Sequence, residues 1–241
     1  AVQKDGALHM IKASGHIDAL AEKTQNGTLL PGTSGIGHTR WATHGAPTDT
    51  NAHPHMSADG KFAIVHNGII ENYAALRDEL KSKGFVFRSE TDTEVIVHLL
   101  DMYYTGDLKA AVLHTAARLE GSYALGVLCA DQPGTICAVK MASPLILGVG
   151  VGENFFASDV TALVSHTKNV IYLEDGEFAE ITPDSISIYD STGATVHRSI
   201  SRIVWDIEAA EKGGYEHFML KEIMEQPRAL KATIAPRIKN G

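Results

Sequence analysis

The sequence predicts an α+β fold of largely antiparallel layers, and three observations carry that expectation. Hydrophobic periodicity is helical over 73–119 and becomes strand-like from Gly121 onward. The strand-like runs are short and separated by turn-forming words, Asp131-Gln-Pro-Gly134, Glu174-Asp-Gly176 and Ser191-Thr-Gly193, which suit hairpins. Strand blocks also flank a block of helices, whereas a doubly wound parallel sheet would alternate them.

The elements follow in order. Residues 1–12 alternate around Asp5-Gly6, a hairpin signal. Ser14 stands where it can cap a short helix bearing Ile17, Leu20 and Ala21 on one face. Pro31-Gly32 breaks the chain, and 36–39 reads as a strand end leading into a loop over 40–45. A strand over 61–66 is expected to end at Asn67-Gly68, with 69–72 leading into a helix over 73–83 that buries Leu76 and Leu80. Thr91 and Glu94 have the spacing of a capping box before a helix with Val95, Ile96, Leu99 and Leu100 inward, stopped by Gly106. Leu108, Val112, Ala116 and Leu119 mark another helix, with Gly121 just past its end. Strands are expected at 123–130, 135–140, 145–149, 155–157, 170–173, 177–181, 185–189 and 195–199. A linker follows at 206–214, then an amphipathic helix over 217–231 interrupted at Pro227. The domain expectation is one unit at 1–207, with 208–241 as a linker and the start of another.

Composition narrows the function. Hydrophobic content of 44% and charged content of 21% are ordinary for a folded soluble chain. A net charge of −8 argues against nucleic acid or an anionic membrane as the main partner. The longest uncharged apolar stretch, 141–152, is broken by Pro144, Gly148, Gly150 and Gly152 and is too short to span a bilayer. No signal-peptide layout opens the chain, and Cys129 and Cys137 sit in apolar strand-like runs, as structural thiols do in a reducing compartment. A cytoplasmic location is the expectation.

Three segments carry groups suited to chemistry. Arg40, Trp41, Thr43 and His44 crowd one short loop, and a guanidinium there offers a planar fork for a carboxylate or phosphate; a surface turn with a core-plugging Trp41 is the alternative. Asn67-Gly68 at a strand end can present a side-chain amide and a backbone N–H to a developing oxyanion, or can be an ordinary turn. Asp92 can receive an ammonium group or favour the positive end of its own helix. His53-Pro-His55 with His66 offers imidazole nitrogens, yet no cysteine or carboxylate stands at ligand spacing, so no metal is expected. Gly148-Val-Gly150-Val-Gly152 lacks the offset and following helix of a dinucleotide loop, so no cofactor is expected.

Taken together, these words resemble a family. His38-Thr-Arg-Trp-Ala-Thr-His-Gly45, Asn51-Ala-His-Pro-His55, Val65-His-Asn-Gly68 with Glu71-Asn72, and Ser89-Glu-Thr-Asp-Thr-Glu94 are similar to the glutaminase half of the glutamine–fructose-6-phosphate aminotransferases, the glucosamine-6-phosphate synthases. Gly121-Ser-Tyr-Ala124, Ser143-Pro-Leu145, Ala157-Ser-Asp159 and Lys221-Glu-Ile-Met-Glu-Gln-Pro227 extend the resemblance over nearly the whole chain. It implies an N-terminal-nucleophile hydrolase-like fold, a four-layer α/β/β/α sandwich with two antiparallel sheets. It also implies that Arg40 grips the α-carboxylate of L-glutamine and Asp92 its α-amino group, while Asn67 and Gly68 form the oxyanion hole. Trp41 would gate ammonia, and Thr43 and His44 would line the covering loop. The implied partners are L-glutamine, a sugar-isomerase domain whose beginning resembles 213–221, and a second copy in a homodimer.

One departure is large. The family's nucleophile is a cysteine at the very N-terminus, and Ala1-Val-Gln-Lys-Asp5 does not match what should surround it. The resemblance begins a few dozen residues into the family's domain, so residues 1–241 alone are expected not to hydrolyse glutamine. The other readings are the glutaminase part of an amidophosphoribosyltransferase, which has the same chemistry, and a non-catalytic glutamine-sensing module.

Overall fold

A computed structural model describes residues 1–40, 45–204 and 213–235. The largest sheet has seven strands in the order β13-β12-β11-β7-β6-β5-β4. In chain order these are β4 (His55–Met56), β5 (Phe62–Ile70), β6 (Gly121–Cys129), β7 (Ile136–Met141), β11 (Phe178–Ile181), β12 (Ile186–Tyr189) and β13 (Thr195–Val196). A four-stranded sheet runs β14-β10-β8-β9, from β8 (Ile146–Val149), β9 (Asn154–Ala157), β10 (Asn169–Tyr172) and β14 (Ser201–Arg202). A three-stranded sheet, β2-β1-β3, joins β1 (Val2–Lys4), β2 (Ala7–His9) and β3 (Ser34–Gly35). Every pairing of these strands is antiparallel. The helices among the described residues are α1 (Ile17–Lys23), α2 (Tyr73–Ser82), α3 (Glu94–Tyr103), α4 (Leu108–Ala116) and α5 (Phe218–Ile234).

Period-2 alternation sorts the side chains of the seven-stranded sheet into two unlike faces. Phe62, Ile64, Leu125, Val127, Val139 and Phe178 point to one side and pack on α2, α3 and α4 through Leu76, Leu80, Val95, Ile96, Leu99 and Val112. The opposite side carries smaller residues. Ala124, Ala138 and Ala179, with Ile181 and Ile188, meet Leu145, Leu147, Ile171 and Leu173 of the four-stranded half. Ala63, Val65 and Leu128 meet Ala1, Ile36 and Leu8 around the three-stranded sheet. Small residues let the sheets close: a Cβ on Gly126 of β6 would lie 2.3 Å from Cζ of Phe156 on β9. Beyond the four-stranded sheet, a 3-10 turn at Val160–Ala162 leads into Leu163 and Val164, which cover Val170 and Ile146. The α+β sandwich with two antiparallel sheets therefore stands, and the three-stranded sheet is an addition to it.

Several local expectations change. β5 does not end at Asn67-Gly68 but runs on to Ile70, because Asn67 through Ile70 stay paired with Ala124 through Gly121. Gly121 opens β6 rather than merely following a helix. Ser14 does not cap α1; His16 holds that place, Ser14 donates to Asp49 Oδ1 instead, and α1 buries no side chain. Thr91 and Glu94 form no capping box. Thr93 is the N-cap residue, and the Glu94 carboxylate reaches further back, accepting from the backbone N–H groups of Arg88 (2.8 Å) and Ser89 (2.7 Å) and the Ser89 hydroxyl (2.6 Å). α3 is buried around its whole first two turns, since it lies between the sheet and its sister helices. Regular strand pairing stops at Gly35, before 36–39. α5 continues through Pro227, where a solvent-facing helix lets water take up the carbonyl that the proline cannot serve. Most of the expected linker lies outside the described residues.

The close approach at Gly126 gives a direct test. Gly126→Val should destabilise the fold by about 1–3 kcal/mol, as overpacking between rigid layers does, read as a lower urea midpoint. An unchanged midpoint would mean that the sheets can separate without cost.

Candidate functional site

The site lies along one edge of β5. β4 pairs with that edge only at Ala63 and Ile64, so among the described residues no strand lies beside the edge beyond. Ladder alternation turns the N–H groups of His66, Gly68 and Ile70 toward this bare edge and away from β6. The His66 N–H donates to His53 Nδ1 (3.1 Å), and the Ile70 N–H donates to Asp92 Oδ2 (2.8 Å). Between them the Gly68 N–H meets no acceptor among the described residues and borders a cavity of about 280 Å³. Gly68 is required here: its φ is +126°, and a Cβ would stand 2.0 Å from the Ser122 carbonyl oxygen.

The same cavity is lined by Arg40, Asn67 and Asp92, together with His38, Thr39, His53, His66, Thr91 and Thr93. Four of the residues singled out in the sequence, Arg40, Asn67, Gly68 and Asp92, are thus brought to one place. Trp41, Thr43 and His44 lie outside the described residues. Asn67 shares the face of β5 that holds Ala63 and Val65, so its side chain enters the seam between the two smaller sheets, where a cleft of about 430 Å³ opens. Its Oδ1 is 2.7 Å from His38 Nε2. Arg40 is steadied by its own loop, donating to the carbonyls of Ala46 (3.1 Å) and Gly45 (3.4 Å). Asp92 is buried, and the Ile70 N–H fixes the rotation of its carboxylate.

Sequence reasoning assigned no role to Asn51. This buried amide donates to the Ala46 carbonyl (3.1 Å) and Glu90 Oε2 (3.1 Å) and accepts from the Glu90 N–H (3.0 Å), clamping the Arg40 loop onto the segment that bears Asp92. Its place in a word rich in site residues was the one signal available. Nor did the sequence show what the histidines do. His66 Nδ1 and the Thr93 hydroxyl lie 2.9 Å apart, His55 Nε2 is 3.2 Å from the Thr91 hydroxyl, and His53 stacks on His38 with ring centroids 4.3 Å apart. Among the described residues, no group of three or more His, Cys, Asp or Glu side chains is placed to hold a metal ion.

Burial sets the charges. It pushes the pKa of His66 down to about 4 and, with help from the Lys12 charge, that of His55 also to about 4. Burial, then the charges of neighbouring imidazoles and Arg40, holds His53 far below the ordinary range. These three imidazoles are therefore neutral near pH 7. Burial would raise the Glu94 pKa, yet the His98 ring 3.6 Å away, the Ser89 hydroxyl and two backbone amides outweigh it and bring it to about 2. Burial raises the pKa of both Cys129 and Cys137, so neither is a poised thiolate.

Comparison with known proteins supplies the context. The family described as "Glutamine amidotransferase domain" matches residues 16–214. Glutamine–fructose-6-phosphate aminotransferase (isomerizing) of Caldanaerobacter subterraneus subsp. tengcongensis is 52% identical over 240 residues, covering 100% of this chain and 39% of that protein. The same enzyme of Aquifex aeolicus is 52% identical over 234 residues, covering 97% of this chain and 39% of its own. The chain thus spans about two fifths of the length of these curated relatives. Among solved structures, the glutamine phosphoribosylpyrophosphate amidotransferase of B. subtilis with ADP and GMP has a TM-score of 0.54 at 25% identity, covering 64% of this chain and 34% of that one. A structure titled as the allosteric regulatory enzyme of purine biosynthesis has a TM-score of 0.58 at 27% identity, covering 86% and 43%. Among the described residues, no helix is long and apolar enough to cross a membrane.

The depressed histidines make stability pH-dependent. Above pH 6.5 they are neutral folded or unfolded; below it the unfolded chain takes up protons that the folded chain refuses until about pH 4. Stability should therefore fall from pH 6.5 toward pH 4, by roughly 3 kcal/mol per ring at full extent. Urea midpoints at pH 7, 6 and 5 would show this, and His55→Gln should make the decline shallower. A decline unchanged by that substitution would mean that His55 titrates freely in the fold.

Proposed function

The chain belongs to the glutamine amidotransferase domain family, and from that premise we propose that it binds L-glutamine in the cavity along β5 and prepares the side-chain amide for hydrolysis to glutamate and ammonia. The observation that supports this best is the bare edge of β5, where an unengaged Gly68 N–H stands between one N–H held by His53 and another held by Asp92. A nucleophile adding to an amide carbon drives negative charge onto the oxygen. The Gly68 N–H and the Asn67 side-chain N–H are then the donors that receive it. Glutamine also carries an ammonium and a carboxylate on one carbon, and Asp92 and Arg40 are their opposite charges in the same cavity. By resemblance, Trp41 limits ammonia escape, and Thr43 and His44 cover the bound amino acid.

Cys129 and Cys137 are buried with raised thiol pKa values, so neither serves as an attacking thiolate, and residues 1–241 alone are expected to release no ammonia from glutamine. We assign residues 1–207 to the glutaminase unit and 208–241 to a linker and the start of a sugar-isomerase domain. The ammonia would then convert fructose 6-phosphate to glucosamine 6-phosphate in a cytoplasmic homodimer. The 52% identity to aminotransferases, against 25% to the phosphoribosylpyrophosphate amidotransferase structure, favours this acceptor over a phosphoribosyl one.

The test is capture of the α-carbon end. In the intact protein, Arg40→Ala or Asp92→Ala should weaken glutamine binding by roughly 2–5 kcal/mol, as loss of one partner of a desolvated charge pair does. Analogues lacking the α-amino group should lose little further affinity in Asp92→Ala, and those lacking the carboxylate little further in Arg40→Ala. If both variants discriminate among the analogues as the unaltered protein does, the two residues do not hold those groups. Glutamine binding without any hydrolysis by the intact protein would instead identify a sensing module.

A further inference from the structure

We propose that His38 is a positioning residue that sets which way round the Asn67 amide lies, holding Oδ1 so that the amide nitrogen faces the cavity. The inference rests on the oxyanion role given to Asn67 above. A primary amide is almost symmetric in shape, so packing alone cannot choose between its two orientations. The choice matters, because with the oxygen turned into the cavity it would repel the developing oxyanion instead of donating to it.

His38 Nε2 stands 2.7 Å from Asn67 Oδ1. With Oδ1 turned to the ring, Nε2 must carry the hydrogen and donate it, which leaves Nδ1 as a buried lone pair that meets no donor among the described residues. The imidazole is itself oriented. It lies against His53 with centroids 4.3 Å apart and planes 20° apart. His53 is fixed in turn, because its Nδ1 accepts the His66 N–H, leaving Nε2–H to face the Thr93 hydroxyl at 3.4 Å. That hydroxyl is 2.9 Å from His66 Nδ1 and closes the loop of contacts. The edge of β5 thus orients a stack of rings, and the outer ring orients the side chain of the strand's own Asn67.

The experiment uses glutamine hydrolysis by the full-length protein. His38→Phe keeps a ring to stack on His53 but removes the donor; kcat should fall roughly tenfold to a hundredfold, with KM within about threefold. His38→Gln can place an N–H near the former Nε2 and should restore kcat to within about threefold of the unaltered protein. His38→Asn, too short to reach, should behave like His38→Phe and serves if that variant fails to fold. The decisive readout is the pair with Asn67→Ala. Once the amide is gone, His38→Phe should cause no further loss, whereas a ring that only supports the fold would slow both backgrounds alike. Equal losses in both backgrounds, or an unchanged kcat in His38→Phe while Asn67→Ala is slow, would overturn the proposal and leave the oxyanion role standing. Full activity in Asn67→Ala would overturn both.

Discussion

Between His66 and Ile70 the edge of β5 carries three N–H groups with no neighbouring strand among the described residues to receive them. Buried backbone donors without acceptors are costly, so a fold that leaves such a gap must answer it with side chains. His53 answers at one end and Asp92 at the other, and the gap is left open only at Gly68. The surroundings follow from this. β4 must be short, α3 must begin close enough to bring Asp92 within 2.8 Å of the edge, and the segment before α3 must be held still.

That last requirement is met by a set of acceptors aimed at backbone. Glu94 takes the amides of Arg88 and Ser89, Asn51 takes that of Glu90, and Arg77 donates to the Thr91 carbonyl at 2.6 Å. Charge-assisted bonds of this kind are shorter and stronger than neutral ones. They stiffen the polypeptide just before Asp92 without occupying its place in the cavity. The Arg40 loop hangs from the same set through Asn51, so the cationic and anionic parts of the site share one support.

Much of this could be read in the sequence, and the rest could not for identifiable reasons. Asp5-Gly6 announced its hairpin because both residues tolerate positive φ, and both adopt it. The strands from Gly121 onward showed themselves by alternation. Arg40, Asn67, Gly68 and Asp92 were visible as chemical groups, and they do meet. β3, β4 and β14 were invisible because two residues carry no period. Gly68 was read as the end of its strand for a deeper reason. Positive φ is inferable from a glycine after an asparagine, but whether the chain turns there or runs straight past a neighbouring carbonyl depends on Ser122, more than fifty positions away. Thr91 and Glu94 had capping-box spacing, yet Glu94 found three donors further back, and local propensity gave way to tertiary contact.

The two faces of the seven-stranded sheet differ in how they can change over evolutionary time. On the helix side, volume is shared among many leucines, isoleucines, valines and phenylalanines, and a loss at one position can be made up by a gain at another. On the other side, Ala124, Gly126 and Ala138 have almost nothing to give up, and at Gly126 even a single Cβ would meet Phe156. Substitutions that accumulate in related chains should therefore be correlated and frequent on the helix side of these strands, and rare at alternate positions on the side that carries Asn67. Asn67 would then sit on the slowly changing face of a sheet whose reverse drifts, separated from that drift by the thickness of one layer of backbone.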